Sequence, residues 1–299
     1  MRKIKNVIIC GLGAIGTYYA YKLSKNQYLD FRVLIDKERE IRYKNEPRIF
    51  NGEKLNFEYI LPDNNDYKAD LIIISTKSYS LENVISNIKN FVTNNTIILS
   101  LLNGVTSEEL IYKNYPKSKG LYSFALGHTY FRNENIIEHD GLSKIHFGST
   151  IINDKRIDNL KELFNSCNIS YELSENIISD MWKKYAFNCC VNQLSAITRY
   201  SFKEISENPK CLHIMKSLVE EIAMIAKRVG VKDSENFYEY TINSLKLMCP
   251  NGKTSMLQDI EAGRQTEVDI FGKTVVKLGK ENKIDTTYNK IISELIDIL

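Results

Sequence analysis

The chain has 299 residues, and 43% of them are hydrophobic, which is enough to build a core in each of two domains. Its 40 lysine and arginine residues nearly balance 37 aspartate and glutamate residues, and the formal charge of +3 argues against a nucleic-acid surface or an electrostatic membrane anchor. No apolar run approaches the roughly 20 residues that cross a bilayer, so we expect a cytoplasmic protein that binds a small molecule and neither nucleic acid nor membrane.

Short β-rich runs alternate with helical patterns in the first half of the chain, as they do in βαβ units. The apolar runs are continuous, which is typical of strands in a parallel sheet with helices on both faces. The expected strands cover residues 7–10, 31–35, 71–74 and 96–99, and the expected helices cover 15–25 and 80–91. Two further β-like stretches, 121–131 and 144–147, predict that the sheet extends beyond these strands.

The second half of the chain is helical by pattern, after one short helix near residues 157–165 and a change of pattern near residue 174. The expected helices cover residues 176–197, 209–229, 234–248 and 254–282. We therefore predict an α/β Rossmann domain with a doubly wound sheet over residues 1–170, followed by an all-helical domain over residues 171–299.

The six cysteines form no CxxC pair and have no regular spacing, and most of them lie in apolar stretches. This pattern is typical of reduced thiols in a cytoplasmic protein. We expect no metal site.

A glycine-rich motif follows the first expected strand directly and opens the first expected helix. Its residues are Gly11, Leu12, Gly13, Ala14, Ile15 and Gly16. Glycines at this spacing permit a tight turn, the close approach of a pyrophosphate and close packing of helix on strand. The helix N-terminus adds N–H groups and a partial positive charge that bind phosphates. The motif in this position predicts a dinucleotide site.

Charged residues at the end of the second strand bear on the choice between NAD and NADP. Asp36 follows Gly16 by about the 20 residues expected of an acid that binds the ribose 2′-hydroxyl, and it would repel a 2′-phosphate. Lys37 and Arg39 could bind that phosphate, or they could simply belong to the solvated start of a helix. These residues leave the choice open.

Two polar segments follow expected strands at their carboxyl ends, where ligands lie in doubly wound sheets. Lys77 comes shortly after the run 71–74, and Asn103 comes shortly after the run 96–101. Both side chains are placed to contact cofactor or substrate, although polar residues at strand ends are also ordinary turn formers.

Three polar residues interrupt the mostly apolar helix expected over residues 176–197. Lys184, Asn188 and Asn192 are four residues apart, so at about 100° per residue they lie along one slowly turning stripe. Because asparagine is unfavourable inside helices and buried amides need partners, the stripe predicts a polar pocket. The alternative is a hydrogen-bond network between helices.

The last long helix contains a capping pattern and a candidate acid. The residues Ser255-Met256-Leu257-Gln258 have the form of a capping box, in which the first-turn N–H groups are satisfied by side chains. Glu267 lies further along the same expected helix. Spacing alone does not distinguish it from other acidic residues nearby.

These motifs together resemble the ketopantoate reductase family, and the resemblance runs almost end to end. It is carried by Gly11 to Gly16, Thr76-Lys77, Asn103-Gly104, the helix residues Trp182, Lys184, Asn188 and Asn192, and the segment from Ser255 to Glu267. The resemblance implies a Rossmann domain followed by a helical domain. It also implies reduction of 2-dehydropantoate to (R)-pantoate, usually with NADPH, on the route to pantothenate and coenzyme A.

The resemblance also implies roles for individual residues. Lys184 would protonate the substrate carbonyl oxygen, and Glu267 would hold a substrate hydroxyl. Asn103 would lie between cofactor and substrate, and Lys77 near the cofactor. The implied substrate ligands are Asn103, Lys184, Asn188, Asn192, Ser255 and Glu267.

Two residues depart from the family pattern. Gln193 stands where the family often has proline, and Asp36 stands where NADP-using members commonly have a basic residue. The resemblance implies NADP as the cofactor, and Asp36 makes NAD the alternative.

Two other functions remain open at this point, and so does a homodimer as the oligomeric state. The same chemistry could act on another small 2-keto acid, which a keto-acid panel would reveal. A nicotinamide-binding sensor without turnover would need the glycine loop but neither Lys184 nor Glu267, so the presence of both argues against it.

Overall fold

The computed structural model describes residues 3–127, 129–131, 135–139 and 143–299. The chain folds into two units. The first contains the residues up to 102 and residues 106–177, and the second contains residues 103–105 and 178–299. Each unit has its own buried apolar core.

Five parallel strands form the central sheet of the first unit. They are β1 (Asn6–Cys10), β2 (Asp30–Leu34), β5 (Tyr59–Ile60), β6 (Leu71–Ile74) and β7 (Ile97–Ser100), and their order is β5-β2-β1-β6-β7. All residues of β6 and β7 are buried, as the continuous apolar runs predicted. Cys10, Ile74 and Ser100 are in register at the strand ends, so the segments that follow β1, β6 and β7 begin at the same edge of the sheet.

The helices of the first unit are α1 (Ala14–Ser24), α2 (Lys37–Asn45), α3 (Leu81–Asn87), α4 (Ser107–Asn114) and α5 (Arg156–Ser166). The sequence analysis predicted α1 and α5, and it predicted α3 within a longer helix that was expected over residues 80–91. It gave no bounds for α2, whose start it offered only as an alternative interpretation of Lys37 and Arg39, and it missed the short helix α4. In α2 only Tyr43 is buried, so the helix carries almost no apolar periodicity.

The prediction that the central sheet extends beyond β7 was wrong. The remaining strands are β3 (Ile49–Phe50), β4 (Glu53–Lys54), β8 (Leu121–Leu126), β9 (Thr129–Phe131), β10 (Ile136–His139), β11 (Lys144–Ser149) and β12 (Tyr171–Leu173). They form two further sheets, of order β4-β3-β10-β9 and β12-β11-β8. The stretch predicted as one strand over 121–131 is divided between these two sheets, and strand pairing of this kind is not encoded in a local pattern.

The helices of the second unit are α6 (Ile177–Phe187), α7 (Gln193–Thr198), α8 (Phe202–Glu207), α9 (Pro209–Arg228), α10 (Phe237–Leu247), α11 (Ser255–Glu261), α12 (Gly272–Asn282) and α13 (Thr287–Ile298). A π-helical segment, Asn188–Asn192, joins α6 to α7, and we call it the π-turn. Among the described residues, no helix combines the length and apolar character needed to cross a membrane.

The single helix predicted over residues 254–282 is in fact two helices. The first, α11, ends at Glu261, and Gly263 then takes a φ of +64° that most other residues avoid. The segment between α11 and α12 contains Glu267, which therefore lies on a turn and not within a long helix. In that turn the N–H of Ile270 donates to the carbonyl of Glu267 at 3.1 Å.

A buried carboxylate joins α9 to the start of α13. Glu221 accepts hydrogen bonds from the backbone N–H groups of Tyr288 and Asn289 at 2.8 and 2.9 Å. It also accepts one from the Asn289 side-chain amide at 2.7 Å. The carboxylate thus satisfies N–H groups in the first turn of α13 that have no intrahelical acceptor.

Candidate active site

The fold itself requires two of the three glycines in the loop between β1 and α1. Gly11 has a φ of +102°, and a Cβ there would lie 2.7 Å from Cγ2 of Thr76 and 2.9 Å from the Ser75 carbonyl oxygen. A Cβ on Gly16 would lie 2.1 Å from the carbonyl oxygen of Gly11. These two glycines allow the tight turn and the close packing of α1 on the strands.

Gly13 has no comparable packing role. Its φ is −68°, an ordinary value for any residue, and a Cβ there would find only the Ser75 carbonyl oxygen, at 4.0 Å. Gly13 is also the N-cap of α1, and no side chain caps this helix. The missing side chain leaves room over a helix N-terminus whose N–H groups suit phosphate oxygens. This arrangement fits the pyrophosphate of a dinucleotide.

The residues after β6 provide a second indication of a ligand beside the loop. Ser75 donates from its hydroxyl to the carbonyl of Gly11 at 3.0 Å, which fixes the loop to the end of β6. The neighbouring Thr76 hydroxyl is buried and has no hydrogen-bond partner among the described residues. Because buried polar atoms are rarely left unpaired, this hydroxyl fits a polar atom of a bound cofactor. Lys77 follows at the start of a short 3-10 helix.

Asp36 is held at the N-terminus of α2. Its Oδ1 accepts a hydrogen bond from the backbone N–H of Arg39 at 2.7 Å, and its Oδ2 lies 3.4 Å from Nη1 of the same arginine. Both side chains are about half exposed. The sequence analysis missed this capping role, although an aspartate between a strand and a helix is a common N-cap.

In the second unit, the structure brings together three of the predicted site residues. Lys184 donates a hydrogen bond from Nζ to Oδ1 of Asn103 at 3.1 Å. The Nδ2 atom of Asn103 donates to Oε2 of Glu267 over 3.4 Å, and Glu267 is 7% exposed. The asparagine amide thus joins a cation to a carboxylate, with its oxygen toward the former and its nitrogen toward the latter.

Each residue of this triad comes from a different segment of the chain. Asn103 follows β7 and precedes Gly104, whose φ of +97° allows the sharp turn of the backbone there. Lys184 lies in the last turn of α6, and Glu267 lies on the turn before α12. Residues so far apart in sequence gave no local signal of their proximity.

The π-turn changes how the polar stripe of this helix is aligned. In a regular helix Asn188 is rotated by about 40° from Lys184, and Asn192 by about 40° more. A π-helix has i→i+5 hydrogen bonds and advances by only about 80° per residue, so the second step returns by about 40°. Asn192 therefore comes back to the side of Lys184. Among the described residues, neither asparagine amide has a hydrogen-bond partner, so both are available to a ligand.

Ser255 lies at the start of α11, but the predicted capping box was wrong by one residue. The N-cap is Thr254, whose hydroxyl accepts a hydrogen bond from the N–H of Leu257 at 3.2 Å. The Gln258 amide donates to the carbonyl of Lys253. Since Thr254 performs the capping, the exposed hydroxyl of Ser255 has no structural role in the cap.

Comparison with known proteins identifies the family to which this chain belongs. The sequence profile "Ketopantoate reductase PanE/ApbA" matches residues 7–150, and its C-terminal counterpart, "Ketopantoate reductase PanE/ApbA C terminal", matches residues 176–299. The chain belongs to the ketopantoate reductase family. A 2-dehydropantoate 2-reductase of Pyrococcus abyssi (strain GE5 / Orsay) is 29% identical over 300 residues, covering 97% of this chain and 96% of the relative.

Solved structures confirm the fold. D-mandelate dehydrogenase in a ternary structure with NADH and anilino(oxo)acetate superposes with a TM-score of 0.87 at 20% identity, over 98% of this chain and 97% of that chain. A dimeric ketopantoate reductase from Staphylococcus aureus superposes with a TM-score of 0.74 at 19% identity, over 98% of both chains. The Rossmann-like and helical architecture predicted from the sequence is thus confirmed, and the family makes the chain a nicotinamide-dependent oxidoreductase.

Proposed function

We propose that this chain is a 2-dehydropantoate 2-reductase, which reduces ketopantoate to (R)-pantoate for the synthesis of pantothenate and coenzyme A. The observation that carries the proposal is the hydrogen-bonded triad of Lys184, Asn103 and Glu267. A protein that only bound the nucleotide would need the glycine loop and would have no use for this triad. We also propose that residues 1–170 serve the cofactor and residues 171–299 the substrate and the chemistry.

The proposed chemistry is a proton transfer matched to a hydride transfer. A bound nicotinamide supplies the hydride that the carbonyl carbon of the substrate accepts. Lys184 gives the proton from Nζ to the carbonyl oxygen, and its positive charge stabilises the alkoxide-like charge more than it stabilises the neutral ketone. The lysine then regains a proton from solvent.

The neighbours of Lys184 orient it and the substrate. Asn103 holds the ammonium group of Lys184 through its amide oxygen. The lysine side chain is therefore already ordered before the substrate binds. Glu267 holds the substrate hydroxyl and the other end of the Asn103 amide. Asn188, Asn192 and Ser255 bind the remaining polar groups of the substrate.

The glycine loop holds the dinucleotide in this proposal. Gly11 to Gly16 and the N-terminus of α1 bind the pyrophosphate, and Lys77 lies near the phosphates or the nicotinamide. The orphaned hydroxyl of Thr76 supports a polar ligand atom at this place.

We propose NADH as the preferred reductant, with NADPH, the expectation from the resemblance, as the alternative. Asp36 is held in place by the N–H of Arg39 and keeps a carboxylate where a 2′-phosphate would have to bind. Arg39 is already paired with that carboxylate. The superposed D-mandelate dehydrogenase, which contains NADH, gives further support. Asp36→Ser should raise the NADPH to NADH ratio of kcat/KM by about tenfold or more.

The test of the proposed reaction follows absorbance at 340 nm with ketopantoate and each reductant. We expect turnover by the wild type, none by Lys184→Ala, and nearly wild-type turnover by Lys183→Ala, which removes a neighbouring lysine paired with Asp180. Folded wild type that binds nucleotide but fails to reduce ketopantoate would overturn the proposal. A panel that includes aryl 2-keto acids then decides the second candidate, another keto acid, which the anilino(oxo)acetate complex of the relative favours.

We propose a homodimer and a cytoplasmic location. The dimeric Staphylococcus aureus relative supports the first, together with an exposed apolar stripe on α13 that a second copy could cover. The stripe consists of Tyr288, Ile291, Leu295 and Ile298. Light scattering should give a molar mass of two chains for the wild type and of one chain for Ile291→Asp. Six free cysteines, five of them buried, support a reducing compartment.

A further inference from the structure

Two contacts join the helix that bears Lys184 to the turn that bears Glu267. The first is made by Tyr185, the residue after the lysine, whose hydroxyl donates to the carbonyl of Phe271 at 3.0 Å. Tyr185 and Phe271 are each 1% exposed. Phe271 closes the turn, because its own N–H donates to the carbonyl of Val268. The tyrosine hydroxyl is thus bonded to the end of the five-residue turn that Glu267 begins.

Burial keeps the Tyr185 hydroxyl protonated. The Tyr185 ring packs edge-on against Trp182, with ring centroids 5.8 Å apart. Burial raises the pKa of the Tyr185 hydroxyl well above its ordinary value. The hydroxyl is therefore a donor across the working pH range.

Gln193 makes the second contact, at the other end of the π-turn. It is fully buried, and its Nε2 donates to the carbonyl of Cys189, inside the π-turn, at 2.5 Å. Its Oε1 has no hydrogen-bond partner among the described residues and packs against Gly272, the first residue of α12. A Cβ on Gly272 would come within 2.5 Å of that oxygen and 2.7 Å of Cβ of Ser293. Gly272 therefore lets the start of α12 rest directly on the glutamine.

The residues that make these two contacts are sequence neighbours of predicted site residues. Tyr185 is adjacent to Lys184 and Gln193 is adjacent to Asn192, while Phe271 and Gly272 end the turn that begins at Glu267. A shift of the turn would move the carboxylate of Glu267 away from the Asn103 amide, and the 3.4 Å hydrogen bond there has little length to spare.

We infer that Tyr185 and Gln193 are positioning residues, which fix the turn bearing Glu267 against the helix bearing Lys184 and so set the geometry of the triad. The kinetic consequences of this inference rest on the proposed function. The structural consequence, a turn held by two buried side chains, does not.

The experiment uses Tyr185→Phe and Gln193→Met, which keep most of the side-chain volume and remove the polar group. Tyr238→Phe is the matched control, because its hydroxyl also donates to a backbone carbonyl in the second unit, that of Leu212, and neither residue lies on a helix with site residues. Hydrogen exchange over residues 266–275, without any ligand, should be at least about fivefold faster in the first two variants than in the control. Exchange equal to that of the control would overturn the inference.

Kinetics give the readout that a merely structural role would not change. We expect kcat to fall about tenfold in Tyr185→Phe and Gln193→Met, with nucleotide Kd unchanged and the pH profile of kcat displaced, whereas Tyr238→Phe keeps the wild-type profile. Wild-type values of kcat and pH profile in both variants would also overturn the inference. If the wild type reduces no keto acid, the proposed function fails and hydrogen exchange alone decides the positioning role.

Discussion

The Nζ atom of Lys184 lies 3.1 Å from Oδ1 of Asn103, and this hydrogen bond joins the segment that follows β7 to helix α6. The amide then reaches Glu267 with its other end. An asparagine is suited to this place because its oxygen accepts from a cation while its nitrogen donates to a carboxylate. Aspartate would have no donor for Glu267, and alanine would leave both charged groups without the bridge.

Asn103→Ala should therefore lower kcat by about 10- to 100-fold, because Lys184 loses the group that orients it. Steady-state kinetics with ketopantoate measure the effect. Asn282→Ala is the matched control, since that side chain only donates to the carbonyl of Leu278 within α12 and its loss should leave kcat unchanged. A variant at position 103 with the kcat of the control would contradict the assigned role.

The glycine loop allows ligand binding to be separated from folding. Gly13→Ala should change the free energy of unfolding by less than about 1 kcal/mol, yet weaken nucleotide binding about tenfold or more, because its methyl group enters the space over the helix N-terminus. Gly16→Ala should cost about 2 kcal/mol or more, because its methyl group meets the carbonyl oxygen of Gly11. Urea unfolding and nucleotide titration distinguish the two, and equal nucleotide affinity of Gly13→Ala and wild type would count against the pyrophosphate site.

A buried acid in the first turn of α4 should make stability depend on pH. Glu108 is 2% exposed and accepts a hydrogen bond from the Ser107 hydroxyl at 2.8 Å, and burial raises its pKa to about 7. Between these pKa values the folded state holds a proton that the unfolded chain releases. The free energy of unfolding therefore falls by at most about 3 kcal/mol as pH rises from about 4.5 to 7, and this contribution is constant above pH 7.

Glu108→Gln should abolish this part of the pH dependence and gain stability relative to wild type as pH rises through the same interval. Urea unfolding at pH 5, 6, 7 and 8 measures it. Glu109→Gln, at the exposed neighbouring position, should follow the wild-type curve. Parallel curves for Glu108→Gln and wild type would show that folding does not raise the pKa of Glu108.

The Glu221 carboxylate, which accepts hydrogen bonds from the first turn of α13, should be among the largest single contributors to the stability of the second unit. Glu221→Ala leaves two backbone N–H groups and the Asn289 amide without their acceptor, and should cost about 2–4 kcal/mol. Glu220→Ala is the control, because it removes only an exposed carboxylate 3.9 Å from Lys216 and should cost less than about 1 kcal/mol. Thermal unfolding of both variants checks the difference, and equal costs would contradict the capping role.

Local sequence signals predicted the elements that have strong periodicity or a motif. Strand β1, the glycine loop and helix α1 were predicted together, because apolar run, glycine spacing and helix pattern follow one another without a gap. The long helix α9 was predicted with an error of one residue, because its apolar face repeats over 20 residues. The break between α11 and α12 was missed, because one glycine in a helical pattern is a weak signal.

The triad could not be derived from spacing, because Asn103 lies 81 residues from Lys184 and 164 residues from Glu267 in the sequence. Only the family resemblance singled out Glu267 among the acids near it. The π-turn was also invisible in the sequence, since Asn188 to Asn192 carry no pattern that distinguishes a π-helix from an α-helix. Asp36 was interpreted only as a ribose ligand, although the possible helix start at Lys37 already placed it at an N-cap position.

Because residues 103–105 belong to the second unit, they limit where this chain can be joined to a relative in a chimeric enzyme. The backbone leaves the first unit after β7, contributes Asn103 to the second, and returns to begin α4. A chimera that takes its nucleotide-binding half from a relative by one cut near residue 177 would import a foreign asparagine loop along with the foreign cofactor preference. Exchanging the cofactor half cleanly therefore requires three junctions, with residues 103–105 kept from the parent that supplies Lys184 and Glu267.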